Sequence, residues 1–281
     1  MGGFTVSVAT ARDMRLLRDW ADDEGWNPGE SDGQAFHSAD PHGFFFGRLN
    51  GQAVASVSAV RYGSDFGFVG FYIACPAVRG HGYGIQVWQA GMAHLAGRNV
   101  GLDGVVEQQD NYRKSGFRRV WNNVRYLGVP SGGERVDGVS LVDARTIPFD
   151  RLAAYDRRFF PAARDAFLAS WVSLPDRTAL VAMRDGEVQG FGVMRAASGP
   201  SRIGPLYAAS EDIALSLVCA LSATTPGLPV VIDVPDINKP AVALVEQLGL
   251  VPSFEAARMY TGPDPDVDMA GMYAVTSLEL G

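Results

Sequence analysis

Residues 6–12, VSVATAR, return 133 positions later as VSLVDAR at residues 139–145. Two further pairs keep nearly the same offset. The turn Asn50-Gly51, between the apolar runs of residues 43–61, answers to Asp185-Gly186 within residues 178–195. Tyr112 to Phe117 (YRKSGF) answers to Val245 to Leu250 (VEQLGL). One such match is unremarkable; three in order imply that a single unit has been written twice. The polar, Gly-rich stretch 130–138 (PSGGERVDG) reads as the linker. Each copy is then of ordinary domain size, with boundaries at 1–130 and 139–281.

Within each copy, periodicity predicts strand, helix, helix, hairpin, strand, helix, strand, helix, strand. Helices are expected over Met14–Glu24 and Phe149–Phe159. Asn-Gly and Asp-Gly favour tight hairpins because both turn residues take positive φ. Strands and helices mixed at this spacing give an α/β fold, in the sense of an α+β mixed sheet.

The 281 residues are 47% hydrophobic and 20% charged, which excludes a disordered chain. A net charge of −7 argues against nucleic acid and anionic membrane as partners. Two cysteines and four histidines offer no metal-ligand spacing, so no metal is expected. No apolar run is long enough to span a membrane and no secretory leader is visible, so the expectation is a cytoplasmic protein, monomer or homodimer.

The segment 67–97 carries the chemistry. Phe68 to Ala74 is apolar, and Pro76 ends it. Arg79-Gly-His-Gly-Tyr-Gly84 follows, and Ile85 to Ala96 has helical spacing. A strand, a glycine turn and a helix start form an anion site, because the first-turn N–H groups and the helix dipole face the turn. The P-loop pattern is absent, and positions 85 and 87 hold Ile and Val where a dinucleotide fingerprint needs glycine.

Arg79-x-x-Gly82-x-Gly84, with Tyr112-x-x-x-Gly116-Phe117 downstream, resembles the GNAT superfamily of acetyl-CoA-dependent N-acyltransferases. The resemblance implies two tandem GNAT-like domains, the first binding acetyl-CoA. It implies that Ile73, Ala74, Arg79, Gly80, His81, Gly82, Tyr83, Gly84, Ile85 and Asn111 hold the coenzyme. The Ile73 N–H would polarise the thioester carbonyl, and Tyr112 would protonate the departing thiolate. The family's Asn-x-x-Ala ahead of that Tyr is missing: residue 105 is Val and 108 is Gln, so Gln108, Gln109 or Asn111 stands in. Glu24, Trp26, Asn27 and Phe71 map to the region that lines the acceptor site, for a small-molecule or peptide amine. The second copy lacks the glycine loop, carries Val245 in place of the tyrosine, and puts Glu211 and Asp212 where phosphate would sit. It reads as a degenerate, structural or pocket-walling domain.

No general base stands out; Asp65, Glu24 and Glu107 are candidates. Tyr155, Asp233 and Tyr260 are candidates to reach the pocket from the second copy. Cys75 beside the loop reads as a small packed residue, and Arg113, Lys114, Arg118, Arg119 and Arg125 as a solvated basic face. The missing base favours one alternative, a non-catalytic acyl-CoA-binding or sensor module acting through a protein partner.

Overall fold

A computed structural model describes residues 3–10, 12–131 and 138–281. Most of the segment read as the linker, residues 132–137, lies outside the described residues.

The first repeat runs β1 (Phe4–Val8), α1 (Asp13–Asp23), α2 (Asp32–Ala39), β2 (Phe44–Leu49), β3 (Gln52–Tyr62), β4 (Phe66–Ala74), α3 (Tyr83–His94), β5 (Asn99–Val105), α4 (Gln109–Lys114) and β6 (Arg118–Gly128). The second runs β7 (Ser140–Asp143), α5 (Phe149–Asp156), α6 (Asp165–Ser173), β8 (Arg177–Arg184), β9 (Glu187–Arg195), β10 (Ser201–Ala208), α7 (Glu211–Ser222), β11 (Val230–Pro235), α8 (Lys239–Gln247) and β12 (Val251–Tyr260), followed by a short β13 (Met272–Ala274). The element order is the one expected in both copies. Both hairpins turn where the sequence puts them, with φ of 54° and 84° at Asn50-Gly51 and 51° and 79° at Asp185-Gly186.

All strands join one mixed sheet, in the order β1-β2-β3-β4-β5-β12-β6-β11-β10-β9-β8-β7, with β13 on β10. The repeats have exchanged their last strands. β12 pairs antiparallel with both β5 and β6, and β6 with both β12 and β11. The division at 130–139 therefore divides the sequence, while the sheet crosses it. On one face a single aromatic core joins the helix pairs of both copies: Phe36 of α2 stacks on Phe167 and Trp171 of α6. On the other face each copy keeps its own core, around Val87 and Trp88 of α3 and around Leu217 and Leu244 of α7 and α8.

Buried ion pairs tie the exchanged strands. Arg258 of β12 donates to both oxygens of Asp103 on β5, at 2.8 Å each. Arg125 of β6 grips Asp233 of β11 at 2.7 and 3.1 Å, and Arg202 donates to the same carboxylate at 2.9 Å. Burial alone would raise the Asp233 pKa, but Arg125 and Arg202 outweigh it and hold it below the carboxylate range. At Asp103 burial wins, and its pKa lies above the ordinary value in spite of Arg258.

Removing one partner of such a pair strands the other in low dielectric. Arg258→Met is thus expected to cost about 3–5 kcal/mol in urea unfolding at neutral pH. A carboxyl whose folded pKa is raised binds its proton more readily in the native state, so this deficit should shrink as the pH falls through the carboxylate range. An unchanged midpoint would remove Arg258 from the ties that hold β12 in place.

The segment 275–281 is buried throughout and passes between β4 and β10. Both strands carry glycine where it passes. A Cβ on Gly70 would meet the Glu279 carbonyl at 2.1 Å, and one on Gly204 the Val275 carbonyl at 2.6 Å. Tyr62 donates to the Leu280 carbonyl at 3.1 Å, and Arg164 to that of Gly281 at 3.1 Å.

Candidate active site

β4 and β5 are paired in parallel only over Phe66–Val69 and Asn99–Leu102. Beyond Gly70 they part. Phe71 takes φ +45°, the β3–β4 register slips between Ser56 and Ser58, and Ser56 Oγ donates to the Phe71 carbonyl at 2.9 Å. A bulge and a non-glycine residue in the left-handed region re-aim this strand end, as they do at functional sites.

Two adjacent cavities lie at this gap. The outer cleft, about 1270 Å³ including its solvent-open part, lies along Ile73, Ala74, Arg79, Gly80, Gly82, Gly84 and Ile85, with Glu24 and Glu107 at its rim. The inner cavity, about 630 Å³ with its solvent-open part included, has Val69, Phe71, Leu102, Tyr112, Phe254 and Leu278 among its walls. Trp26, Tyr72, Val105 and Gln108 line both.

α3 begins behind the glycine loop with Gly82 at its N-cap, in the left-handed conformation (φ 79°) and with no side chain capping the first turn. Gly80 is also left-handed, at 81°. A Cβ at either position would meet nothing within 4 Å, so both face open cleft. First-turn N–H groups, glycine surface and free space together fit a phosphorylated ligand. α7 differs: Ser210 Oγ accepts from the Ile213 N–H at 3.4 Å, and Glu211 and Asp212 occupy the first turn. The gap between β10 and β11, equivalent to the one beside β4, is occupied by β13, which pairs with β10. Asn238 Nδ2 fixes that arrangement by donating to the carbonyls of Met269, Ala270 and Met272.

Tyr112 of α4 lies under Gly104 with its ring 5.5 Å from that of Trp88. It is 8% exposed, and its hydroxyl has no hydrogen-bond partner among the described residues. Burial, with nearby Tyr72, pushes its pKa well above the ordinary phenol value, so it keeps its proton.

The other expected residues divide. Arg79 donates through Nε to the Ala74 carbonyl at 2.9 Å and pairs with Glu24, so its guanidinium and that carboxylate hold each other at the cleft mouth. His81 Nδ1 lies 3.0 Å from the Arg79 carbonyl, and Tyr83 stacks on Phe4; neither lines a cavity. Asn111 lines neither cavity; its Nδ2 donates at 2.9 Å to Oε1 of Gln108, which lines both.

Asn27 does not line the acceptor cavity. Its side chain accepts from the Gly199 N–H at 2.7 Å and donates to the Pro200 carbonyl at 2.8 Å, which spends both polar ends on the other repeat. Asp65 sits in the β3–β4 turn, paired with Ser64 Oγ, away from both cavities. Tyr155, Tyr260 and Asp233 line neither cavity, and the Asp233 carboxylate is taken by Arg125 and Arg202. Arg125 is buried, so it corrects the reading of that run as one solvated basic face: β6 alternates, and position 125 points inward. Burial raises the Cys75 thiol, leaving it protonated near neutrality.

Asp103, Arg125, Phe254, Leu278 and Glu279 line the inner cavity without having been anticipated. Four of them, all but Asp103, arrive with the exchanged strands β6 and β12 or the segment 275–281. The signal available was Gly70, a glycine inside an apolar strand, which marks close backbone approach.

The fold and the site together define a tandem acyltransferase. Residues 12–117 match the Acetyltransferase (GNAT) family and residues 152–274 the Acetyltransferase (GNAT) domain. The chain is 32% identical to holothin acyltransferase of Pseudoalteromonas sp. (strain SANK 73390), over 99% of this chain and 95% of that one, and it belongs to the GNAT acyltransferase family. A Pyrococcus horikoshii protein assigned as an acetyltransferase superposes with TM-score 0.82 at 20% identity, over 100% of this chain and 97% of its own. A tandem GNAT protein from the clavulanic acid biosynthesis pathway does so with TM-score 0.62 at 16% identity, over 93% and 100%. Among the described residues no cluster of His, Cys, Asp or Glu is placed to hold a metal, and no helix is long and apolar enough to cross a membrane.

Proposed function

We propose that the first repeat binds acetyl-CoA and transfers its acetyl group directly to a small, largely apolar amine held in the inner cavity. The observation that carries this is the adjacency of two cavities that share Trp26, Tyr72, Val105 and Gln108: an uncapped glycine-rich helix start lies along one, and Tyr112, whose hydroxyl has no partner among the described residues, lines the other. The coenzyme supplies an activated acyl thioester. The backbone N–H groups from Gly80 to Ile85 hold its pyrophosphate. The Ile73 N–H donates to the carbonyl oxygen as charge develops there. Tyr112 gives its proton to the leaving sulfur. Its raised pKa keeps the hydroxyl protonated near neutral pH, so a proton is in place when sulfur departs; transfer to the less basic thiolate is uphill, and the step is completed when the phenolate regains the proton released by the amine.

The walls favour a compact aromatic or apolar acceptor, with Trp26, Phe71 and Phe254 facing it. Holothin, named for the 32% identical relative, is the first acceptor to try. The second repeat serves as scaffold: its cleft is filled by β13 and its helix start is capped.

Thiol release from acetyl-CoA, followed with holothin and with 2-phenylethylamine, tests the reading. Release should rise with amine concentration and saturate. Acetyl-CoA binding without amine-dependent release would favour the sensor module instead.

A further inference from the structure

We infer that Glu279, carried in from the second repeat, is the carboxylate that receives the acceptor amine and takes its proton; this rests on the acyl-transfer reading above. Glu279 lies in the wall of the inner cavity beside Leu278 and is 5% exposed. Its Oε1 accepts from Arg202 at 3.1 Å. Its Oε2 is buried and has no partner among the described residues. A buried carboxylate oxygen left unmatched is costly, and in a cavity wall a donor on a bound ligand would match it.

The other acids near the site are paired or lie outside the inner cavity. Asp103 accepts from Arg258 and Asn123, Asp233 from Arg125 and Arg202, and Glu24 from Arg79. Glu107 belongs to the outer cleft. Among the described residues that line the inner cavity, Glu279 alone has a carboxylate oxygen without a partner. The Gly70 approach fixes its main chain against β4, at the point where β4 leaves β5.

In the step this supports, the amine nitrogen forms a bond to the thioester carbonyl carbon and the carbon–sulfur bond breaks. The nitrogen's surplus proton passes to Glu279 Oε2, while the sulfur takes the Tyr112 proton. Solvent then returns one proton from Glu279 to Tyr112, leaving amide and free thiol.

Glu279→Gln keeps the carbonyl that Arg202 needs and places an amide N–H₂ where Oε2 stood. Turnover at saturating amine should fall on the order of 100-fold with acetyl-CoA binding unchanged. A second readout needs no variant: in the wild type with CoA bound, 2-phenylethylamine should bind at least about tenfold more tightly than 2-phenylethanol, a preference that Glu279→Gln abolishes. Equal binding of amine and alcohol by the wild type, or a folded Glu279→Gln with wild-type turnover, overturns the assignment while leaving acyl transfer standing. Wild type that releases no thiol with any amine overturns both.

Discussion

Gly82→Trp is expected to abolish acetyl-CoA binding, by more than about 100-fold or about 2.7 kcal/mol, in a protein that otherwise folds normally. Two effects act at this position. Gly82 holds φ 79°, where any L side chain is strained by roughly 1–2 kcal/mol. The space beside it is empty, so an indole there meets no packed neighbour and fills the cleft instead. The core around Val87 and Trp88 lies on the far side of α3 and is untouched. Calorimetric titration should give one site per chain in the wild type and none in the variant. Two sites in the wild type would mean that the second repeat binds coenzyme despite β13 and the capped start of α7. Wild type that fails to bind would leave the glycine loop without a ligand.

What the sequence made legible follows from the range of the interactions involved. Hairpin turns, helix starts and the glycine loop are set by neighbours within a few residues. Asn50-Gly51, Asp185-Gly186 and residues 79–85 therefore sit where they were expected. Tyr112 was singled out by the resemblance of Tyr112-x-x-x-Gly116-Phe117 to a family motif, and burial beside Tyr72 accounts for its shifted pKa. The exchange of β6 and β12 has no local signature, because nothing within either strand's own residues says which repeat's strands it will join. With that exchange went everything it delivers. Arg125 looked like one of several exposed cations, yet it pairs with Asp233 across the repeat boundary and covers Phe254 at 5.4 Å. Glu279 stands beyond the last regular strand, in a segment with no periodic pattern. Only the three-dimensional path of residues 275–281 puts it against Gly70. Asn27 failed for the same reason in reverse: adjacency to Trp26 in sequence suggested a shared pocket, but its φ of 53° turns it toward Gly199 and Pro200.

Tyr112→Phe separates chemistry from binding. The ring is wedged beneath Gly104, with Trp88 at 5.5 Å and Phe117 at 6.3 Å, and its hydroxyl makes no hydrogen bond among the described residues. Phenylalanine keeps those contacts, so stability should change by less than about 1 kcal/mol and acetyl-CoA affinity hardly at all. The proton for the leaving sulfur disappears. Loss of a positioned general acid typically costs 10²–10⁴-fold, and kcat is expected to fall within roughly that range while the KM for acetyl-CoA holds. The pH dependence gives a second signature. Because burial raises the Tyr112 pKa, the wild type should hold its activity through moderately alkaline pH and lose it only as the hydroxyl ionises. The variant has no proton to lose there, so its residual rate should show no such decline. A poorer leaving group sharpens the contrast: an oxygen ester analogue of acetyl-CoA expels a more basic anion and depends more heavily on the acid, so the variant should discriminate against it more than the wild type does. Unchanged kcat in Tyr112→Phe would mean that the thiolate leaves unprotonated and takes its proton from water, and the buried hydroxyl would then be part of the cavity wall.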